Sequence, residues 1–262
     1  MLRNEDLDRA RCKSQFVNAM YEDLRWFGFE YDEGPDFGGF YAPYVQSERR
    51  QWYVAAFQEL RAGGFIYPCT CSRQDVLRSV QAPHAGEEEP LYPGTCRGKS
   101  IGAEPAGREQ AVASSSARIN WRFRVPDGEV ISFVDGYYGS QKFTAGVDFG
   151  DFVVWRHDDI PAYQLAVVVD DASMAISEVV RGADLLTSTA RQLLLYGALG
   201  WKPPCFYHCP LMTDETGTRL AKRHEAQSLR TLREQGKSPE QLRSGWDAMA
   251  ITANAPGNTV SN

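Results

Sequence analysis

Residues 151–184 read DFVVWRHDDIPAYQLAVVVDDASMAISEVVRGAD, and the rest of the chain is organised around them. Phe152-Val153-Val154-Trp155 predicts a short strand, closed by the charged turn RHDDIP. A second apolar run, Ala162 to Val169, contains three consecutive valines and stops on Asp170 and Asp171. That pattern predicts a strand covered on both faces. A third short strand, Glu178-Val179-Val180, carries Arg181, Gly182 and Asp184 to the same neighbourhood. Open α/β sheets carry their sites at strand ends, so Tyr163, the two aspartates and Arg181 mark a candidate site. The plainer alternative is a sheet with ordinary charged loops.

Upstream, residues 10–28 predict a helix with Phe16, Met20, Leu24 and Phe27 on one stripe and Gly28 as its stop. A glycine- and aromatic-rich loop follows at 34–43. A second helix runs from about Ser47, bearing Tyr53, Ala56, Phe57 and Leu60, to Gly63-Gly64. Phe65 to Pro68 predicts a strand, and Ser72 with Asp75 a capping box. Residues 98–117 have little to bury and read as a surface linker or exposed helix. Alternation at Trp121, Phe123 and Val125 predicts a strand turned by Pro126-Asp127-Gly128 into a hairpin with 130–134. Asp135 to Phe149 is glycine-rich. Downstream, Ser188 is the expected cap of a helix stopped at Gly200, and 206–211 reads as a strand. Two helices close the chain, one near 226–235 and one from Pro239, capped by Ser238, to about Ile251.

With 262 residues, 43% apolar and 24% charged, the chain suits one large domain with a small insertion and excludes a disordered polymer. It has no 18-residue apolar run and no apolar leader, so no membrane association and a cytoplasmic location are expected. A net charge of −6 excludes a nonspecific nucleic-acid coat but not a local basic face. Arg122, Arg124, Lys142 and Arg191 are candidates for such a face.

Without an export signal the six cysteines read as thiols or metal ligands. Cys69-x-Cys71 can present two thiolates to one ion, with Cys96 as a third; Tyr92 or His84 can supply a fourth donor. The alternative is three buried free thiols. Cys12 reads as helix core, Cys205 and Cys209 as unrelated, and His208 as a sheet residue rather than a ligand. Arg219, Lys222 and Arg223 follow a glycine turn and can hold a polyphosphate. Arg181, directly after an apolar run, suits a bidentate carboxylate contact, with Glu5 and Tyr163 placed to receive an ammonium group.

Three segments together resemble the class I glutamyl-type aminoacyl-tRNA synthetases. RNEDLDRARC at 3–12 is similar to their acidic R-I-E-D-L-D segment, AYQLAVVVDD with EVVRGADLL to their glutamate and adenosine pocket, and Thr218 to Arg223 to a divergent Lys-Met-Ser-Lys-Ser loop. The EDLD spelling, the Cys69-x-Cys71 and Tyr92-x-x-x-Cys96 spacing and the short C-terminal part bring the resemblance nearest to the glutamyl-Q tRNA(Asp) synthetase group. The resemblance implies an α/β, Rossmann-like class I catalytic domain with a small zinc-binding insertion. It also implies that the segment preceding RNEDLD, with the first strand and an ATP-cradling helix, is missing through a late start or a real truncation.

The domains would be 1–64, a remnant of the first half of the catalytic domain; 65–118, the zinc insertion and linker; 119–225, the second half with the phosphate loop; and 226–262, a helical end. Implied are ATP with Mg2+, Zn2+ on Cys69, Cys71, Tyr92 and Cys96, glutamate on Glu5, Tyr163 and Arg181, and phosphates on Lys222 and Arg219. The implied acceptor is tRNA(Asp) carrying queuosine, with the protein a monomer. Arg219 and Ala221 stand where the family usually has Lys and Ser, which changes the geometry of one charge and removes a hydroxyl. The rival expectations are an ordinary glutamyl-tRNA synthetase fragment, a degenerate non-catalytic domain, and a zinc-bound RNA-binding module.

Overall fold

A computed structural model describes residues 1–8, 12–72, 74–76, 91–98, 118–211 and 228–245. It divides into a first unit, residues 1–44 with 212–262, and a second, residues 45–211.

In the first unit, helix α1 (Ser14–Phe27) ends as its sequence predicts. Gly28 takes the left-handed conformation at φ 86°, and the N–H groups of Gly28 and Phe29 close onto Arg25 and Leu24 carbonyls at 3.0 Å each. Phe27 is buried, whereas Phe16 at the other end of the expected stripe is exposed. The later segment packs on α1 through cations: Arg230 donates to Glu22 at 2.8 Å and Asp23 at 3.4 Å, and Arg243 to the Phe27 carbonyl. Ser238 and Gln241 form a reciprocal capping box at the start of the helical stretch 239–245.

In the second unit, helix α2 (Arg50–Ala62) buries Tyr53, Ala56, Phe57 and Leu60, the four residues its periodicity selects. Strands β1 (Ile66–Cys69), β2 (Asn120–Phe123) and β5 (Phe152–Trp155) form an antiparallel sheet in the order β1-β2-β5. Strands β3 (Val130–Asp135), β4 (Gly139–Thr144), β6 (Glu178–Gly182) and β7 (Cys205–Cys209) form a second sheet, ordered β4-β3-β7-β6. There β3, β7 and β6 run parallel, and only β4 is antiparallel.

Two expectations fail here. The run Ala162–Val169 is not a strand: helix α3 (Tyr163–Ser173) occupies it, buried continuously from Leu165 to Asp171. Burial around most of its circumference erases the polar–apolar period that marks a helix, and a short run of valines then looks like a covered strand. The expected hairpin also changes partners. β2 and β3 lie in different sheets, and β3 instead turns through Gly136-Tyr137-Tyr138 into β4, inside the glycine-rich stretch.

Helix α4 (Leu186–Ala198) starts before Ser188, whose hydroxyl accepts from Gln164 at 3.0 Å instead of capping the helix. In the first unit, helix α5 (Leu229–Glu234) precedes the 239–245 stretch and has Ser228 as its cap: the Thr231 N–H donates to the Ser228 hydroxyl at 3.1 Å. Strand β6, helix α4 and strand β7 together make a parallel strand–helix–strand unit. Among the described residues no helix is long and apolar enough to cross a membrane.

Asp170 and Asp171 are also not at a strand end. Asp170, fully buried in the last turns of α3, accepts from Arg49 at 2.7 Å, Gln46 at 2.9 Å and Tyr53 at 3.0 Å, which ties α3 to the start of α2. Its carboxylate holds the fold together.

Candidate functional site

Arg181 sits at the carboxyl end of β6, directly opposite His208 of β7. Parallel strands present their ends as a crevice, and this pair lies at its edge. The half-buried guanidinium stacks over Phe206 with its centre 5.3 Å from the ring. Its Nε donates to His208 Nε2 at 3.1 Å, and Nη2 donates to Thr189 Oγ1 at 2.6 Å and Gln192 Oε1 at 2.8 Å. Three of five N–H donors are thereby committed. Nη1, with two, carries no protein hydrogen bond among the described residues. The fork geometry expected from sequence is thus replaced by an end-on donor.

The network continues toward Tyr163. Gln192 donates to Gln164 Oε1 at 2.8 Å, and Gln164 follows Tyr163 at the start of α3, where Tyr163 is 40% exposed. The chain of amides from Arg181 thus crosses from α4 to Gln164 at the start of α3, next to Tyr163 in sequence. Glu5 belongs to the first unit, where its carboxylate accepts from Arg3 at 3.1 Å. Arg219, Lys222, Arg223 and His84 lie outside the described residues.

Behind Arg181, His208 Nδ1 meets Asp135 Oδ2 at 2.6 Å, both side chains fully buried. Burial alone would raise the Asp135 pKa. The His208 ring and the N–H groups of Tyr138, Tyr137 and His208 outweigh burial and hold it below the usual carboxylate value. His208, Asp135, Thr189 and Gln192 were invisible as site residues in the sequence. The one shared feature is positional: Arg181 and His208 each occupy the fourth place of a five-residue strand.

A second cluster lies at the end of β1. The Cys69, Cys71 and Cys96 sulfurs are all within 4.8 Å of one another. Tyr92 Oη lies 3.3 Å from Cys69 Sγ and 3.6 Å from Cys71 Sγ, and it accepts from the Cys96 N–H at 3.0 Å. The Ser72–Asp75 capping box forms as expected: the Ser72 N–H donates to Asp75 at 2.8 Å, and the Asp75 N–H to Ser72 Oγ at 3.2 Å. It fixes the chain just past Cys71.

Burial would raise the Cys96 thiol, but hydrogen bonds from Tyr92, the Thr70 backbone and Cys71 bring it down to about 6. Cys71 is pushed up to about 11, chiefly by burial. Burial likewise raises the Tyr92 phenol, assisted by its three sulfur neighbours. Three sulfurs and one phenol oxygen, converging within a buried cluster, match the four S and O donors a tetrahedral zinc ion takes. These residues fit the metal.

Arg122 belongs to this cluster and not to an exposed basic face. It is buried, donates from Nε to Cys69 Sγ at 3.4 Å and from Nη1 to the Asp151 carbonyl at 2.9 Å, and lies 3.9 Å over the Tyr92 ring. Arg97, next to Cys96, clamps Asp151 and Asp127. Of the other cations considered for such a face, Arg124 and Lys142 are exposed and Arg191 is half-buried.

The family of "tRNA synthetases class I (E and Q), catalytic domain" matches residues 1–261. The glutamyl-Q tRNA(Asp) synthetase of Symbiobacterium thermophilum is 48% identical over 241 residues, 92% of this chain and 72% of that protein. That of Nitratidesulfovibrio vulgaris is 45% identical over 236 residues, 90% of this chain and 71% of that protein. Glutamate–tRNA ligase 2 of Nitrosococcus oceani is 42% identical over 242 residues, 92% of this chain but 50% of that protein.

Among solved structures, glutamate-tRNA synthetase from Elizabethkingia anophelis superposes with a TM-score of 0.70 at 30% identity, over 85% of this chain and 45% of that one. The chain thus spans less than half of that solved synthetase. A family match over essentially the whole sequence, on an α/β fold of the same kind, means that this chain belongs to the catalytic-domain family of the class I glutamate and glutamine tRNA synthetases.

Proposed function

We propose that this protein activates glutamate with ATP and passes the glutamyl group to the queuosine base of tRNA(Asp). The observation that carries the amino-acid part is Arg181, a cation at a parallel-strand end whose Nη1 alone remains for a ligand while its other nitrogens are fixed. In this reading Arg181 receives a glutamate carboxylate end-on. The Tyr163 phenol and Glu5 receive the amino group, and Lys222 and Arg219 steady the ATP phosphates, which reach the site with Mg2+.

The α-carboxylate of glutamate attacks the α-phosphorus of ATP, pyrophosphate leaves, and a queuosine hydroxyl then displaces AMP from the acyl carbon. Activation of this kind rests on holding two substrates in line and on stabilising charge. Cys69, Cys71, Cys96 and Tyr92 would hold zinc, which supplies structural cross-linking of the insertion and takes no part in these steps. Preference for the queuosine acceptor rests on the two glutamyl-Q relatives, which match at higher identity and over more of their length than the glutamate–tRNA ligase.

The test is glutamate-dependent exchange of labelled pyrophosphate into ATP by the full-length gene product, followed by transfer of labelled glutamate to queuosine-containing tRNA(Asp). Label on that tRNA and none on its queuosine-free form is the expected result. Charging of tRNA(Glu) instead would assign an ordinary glutamate–tRNA ligase. Absence of any exchange by folded protein would remove the activation chemistry altogether.

A further inference from the structure

Three neighbouring parallel strands place Asp135, His208 and Arg181 side by side. Arg181 pairs in register with His208, and Asp135 ends β3 beside β7. The bonds joining them have only one polarity. Arginine Nε can only donate, so His208 Nε2 must accept from Arg181 at 3.1 Å, and the Thr189 hydroxyl, also 3.1 Å from Nε2, is then a second donor to it. The ring proton is then on Nδ1, donated to Asp135 Oδ2 at 2.6 Å. Asp135 is in turn fixed as an acceptor by the Tyr137 and Tyr138 N–H groups, at 3.0 and 2.9 Å, from the β3–β4 turn. Direction therefore passes from backbone amides through a carboxylate and an imidazole to one edge of a guanidinium.

We infer that Asp135 and His208 are the positioning pair of the amino-acid pocket. They set the tautomer that captures Arg181 Nε and so leave Nη1 facing the substrate carboxylate; this rests on the reading of Arg181 as the glutamate-binding cation. An arginine on a free stem samples many rotamers. One held at Nε, stacked on Phe206 and held again at Nη2 by Thr189 and Gln192 presents a single direction. Asn in place of Asp135 can turn its amide N–H toward Nδ1, which moves the ring proton to Nε2 and sets two donors against each other. Loss of a well-aimed hydrogen bond to a charged group costs roughly 10–100-fold in affinity.

Two measurements on the full-length protein test this. Long-range proton–nitrogen NMR of its four histidines should show His208 as the Nδ1–H tautomer in the native protein and as Nε2–H in D135N. Calorimetric glutamate affinity should fall about 10–100-fold in D135N and in H208F. The double variant D135N/H208F should be no worse than H208F alone, because without the imidazole Asp135 has no tautomer to select. H208Q, which restores an acceptor for Nε, should recover most of the affinity and serves where H208F fails to fold.

An Nε2–H tautomer in the native protein, or native affinity in folded D135N and H208F, overturns the inference. R181A separates the two readings: abolished binding with unaffected D135N and H208F leaves Arg181 a ligand and removes only its positioning pair. Absent glutamate binding in the native protein, or unchanged binding in R181A, removes the pocket reading, and the tautomer spectrum then decides the positioning geometry by itself.

Discussion

Exchanging Asp170 for asparagine should show how far α3 is held by one buried charge. Asp170 is fully buried and Arg49 2% exposed; Oδ1 accepts from Arg49 and Tyr53, and Oδ2 from Gln46 and Tyr53. Asparagine keeps the shape, but one acceptor oxygen becomes an N–H2 group facing donors, and Arg49 loses its carboxylate. Removing one partner of a buried pair costs about 3–5 kcal/mol. At about 2–4 °C per kcal/mol for a domain of this size, D170N should melt roughly 6–20 °C below the native protein.

Urea unfolding read by circular dichroism gives the free energy, with the slope checking that the transition has kept its two-state character. The companion variant R49M/D170L replaces both partners with apolar groups of similar volume. It should be far less damaged than the sum of the single losses, because the burial cost disappears with the charges. A D170N protein within about 1 kcal/mol of native, or a double variant as unstable as the summed singles, would refute the account of α3 as charge-pinned.

Three other outcomes follow from the structure. R122M should weaken zinc affinity about 10–100-fold in chelator competition, since Arg122 Nε donates to Cys69 Sγ; unchanged affinity would make Arg122 a packing residue only. C96S should lose stoichiometric zinc by atomic absorption while C205S, on exposed β7 surface, keeps it, and equal metal content in the two would remove the metal site. For acid stability, Asp135 and Asp127 both sit below 3.8 in the folded protein, so the fold binds fewer protons than the unfolded chain at acid pH. Their contribution is complete above about pH 5 and is lost as pH falls through the folded values. Urea midpoints for D135N should therefore depend less on pH below about 4 than those of the native protein, and identical slopes would contradict the assignment.

The contrast between α2 and α3 shows what the sequence could and could not reveal. In α2, one face meets water, so Tyr53, Ala56, Phe57 and Leu60 stand out at helical spacing and are the residues found buried. α3 lies under other elements on most sides, its period disappears, and the valines mislead toward a strand. The cysteine and tyrosine cluster was readable because it depends on local spacing between Cys69 and Cys71 and between Tyr92 and Cys96, which the chain brings together. Asp135 and His208 stand 73 positions apart in sequence and meet only through the register of two parallel strands. No pattern in one sequence encodes that register.

The same distinction separates the two parts of the Arg181 cluster. A cation following an apolar run declares itself, whereas the groups that aim it are ordinary sheet and helix residues until strand order places them. The half-buried guanidinium has its hydrogen bonds divided between β7 and α4, so the packing of α4 against the sheet and the geometry of the candidate pocket are set by the same contacts. Substitutions along the α4 face at Thr189 or Gln192 are therefore expected to move ligand affinity before they move global stability. That ordering is opposite to the one expected at Asp170, whose bonds end inside the core.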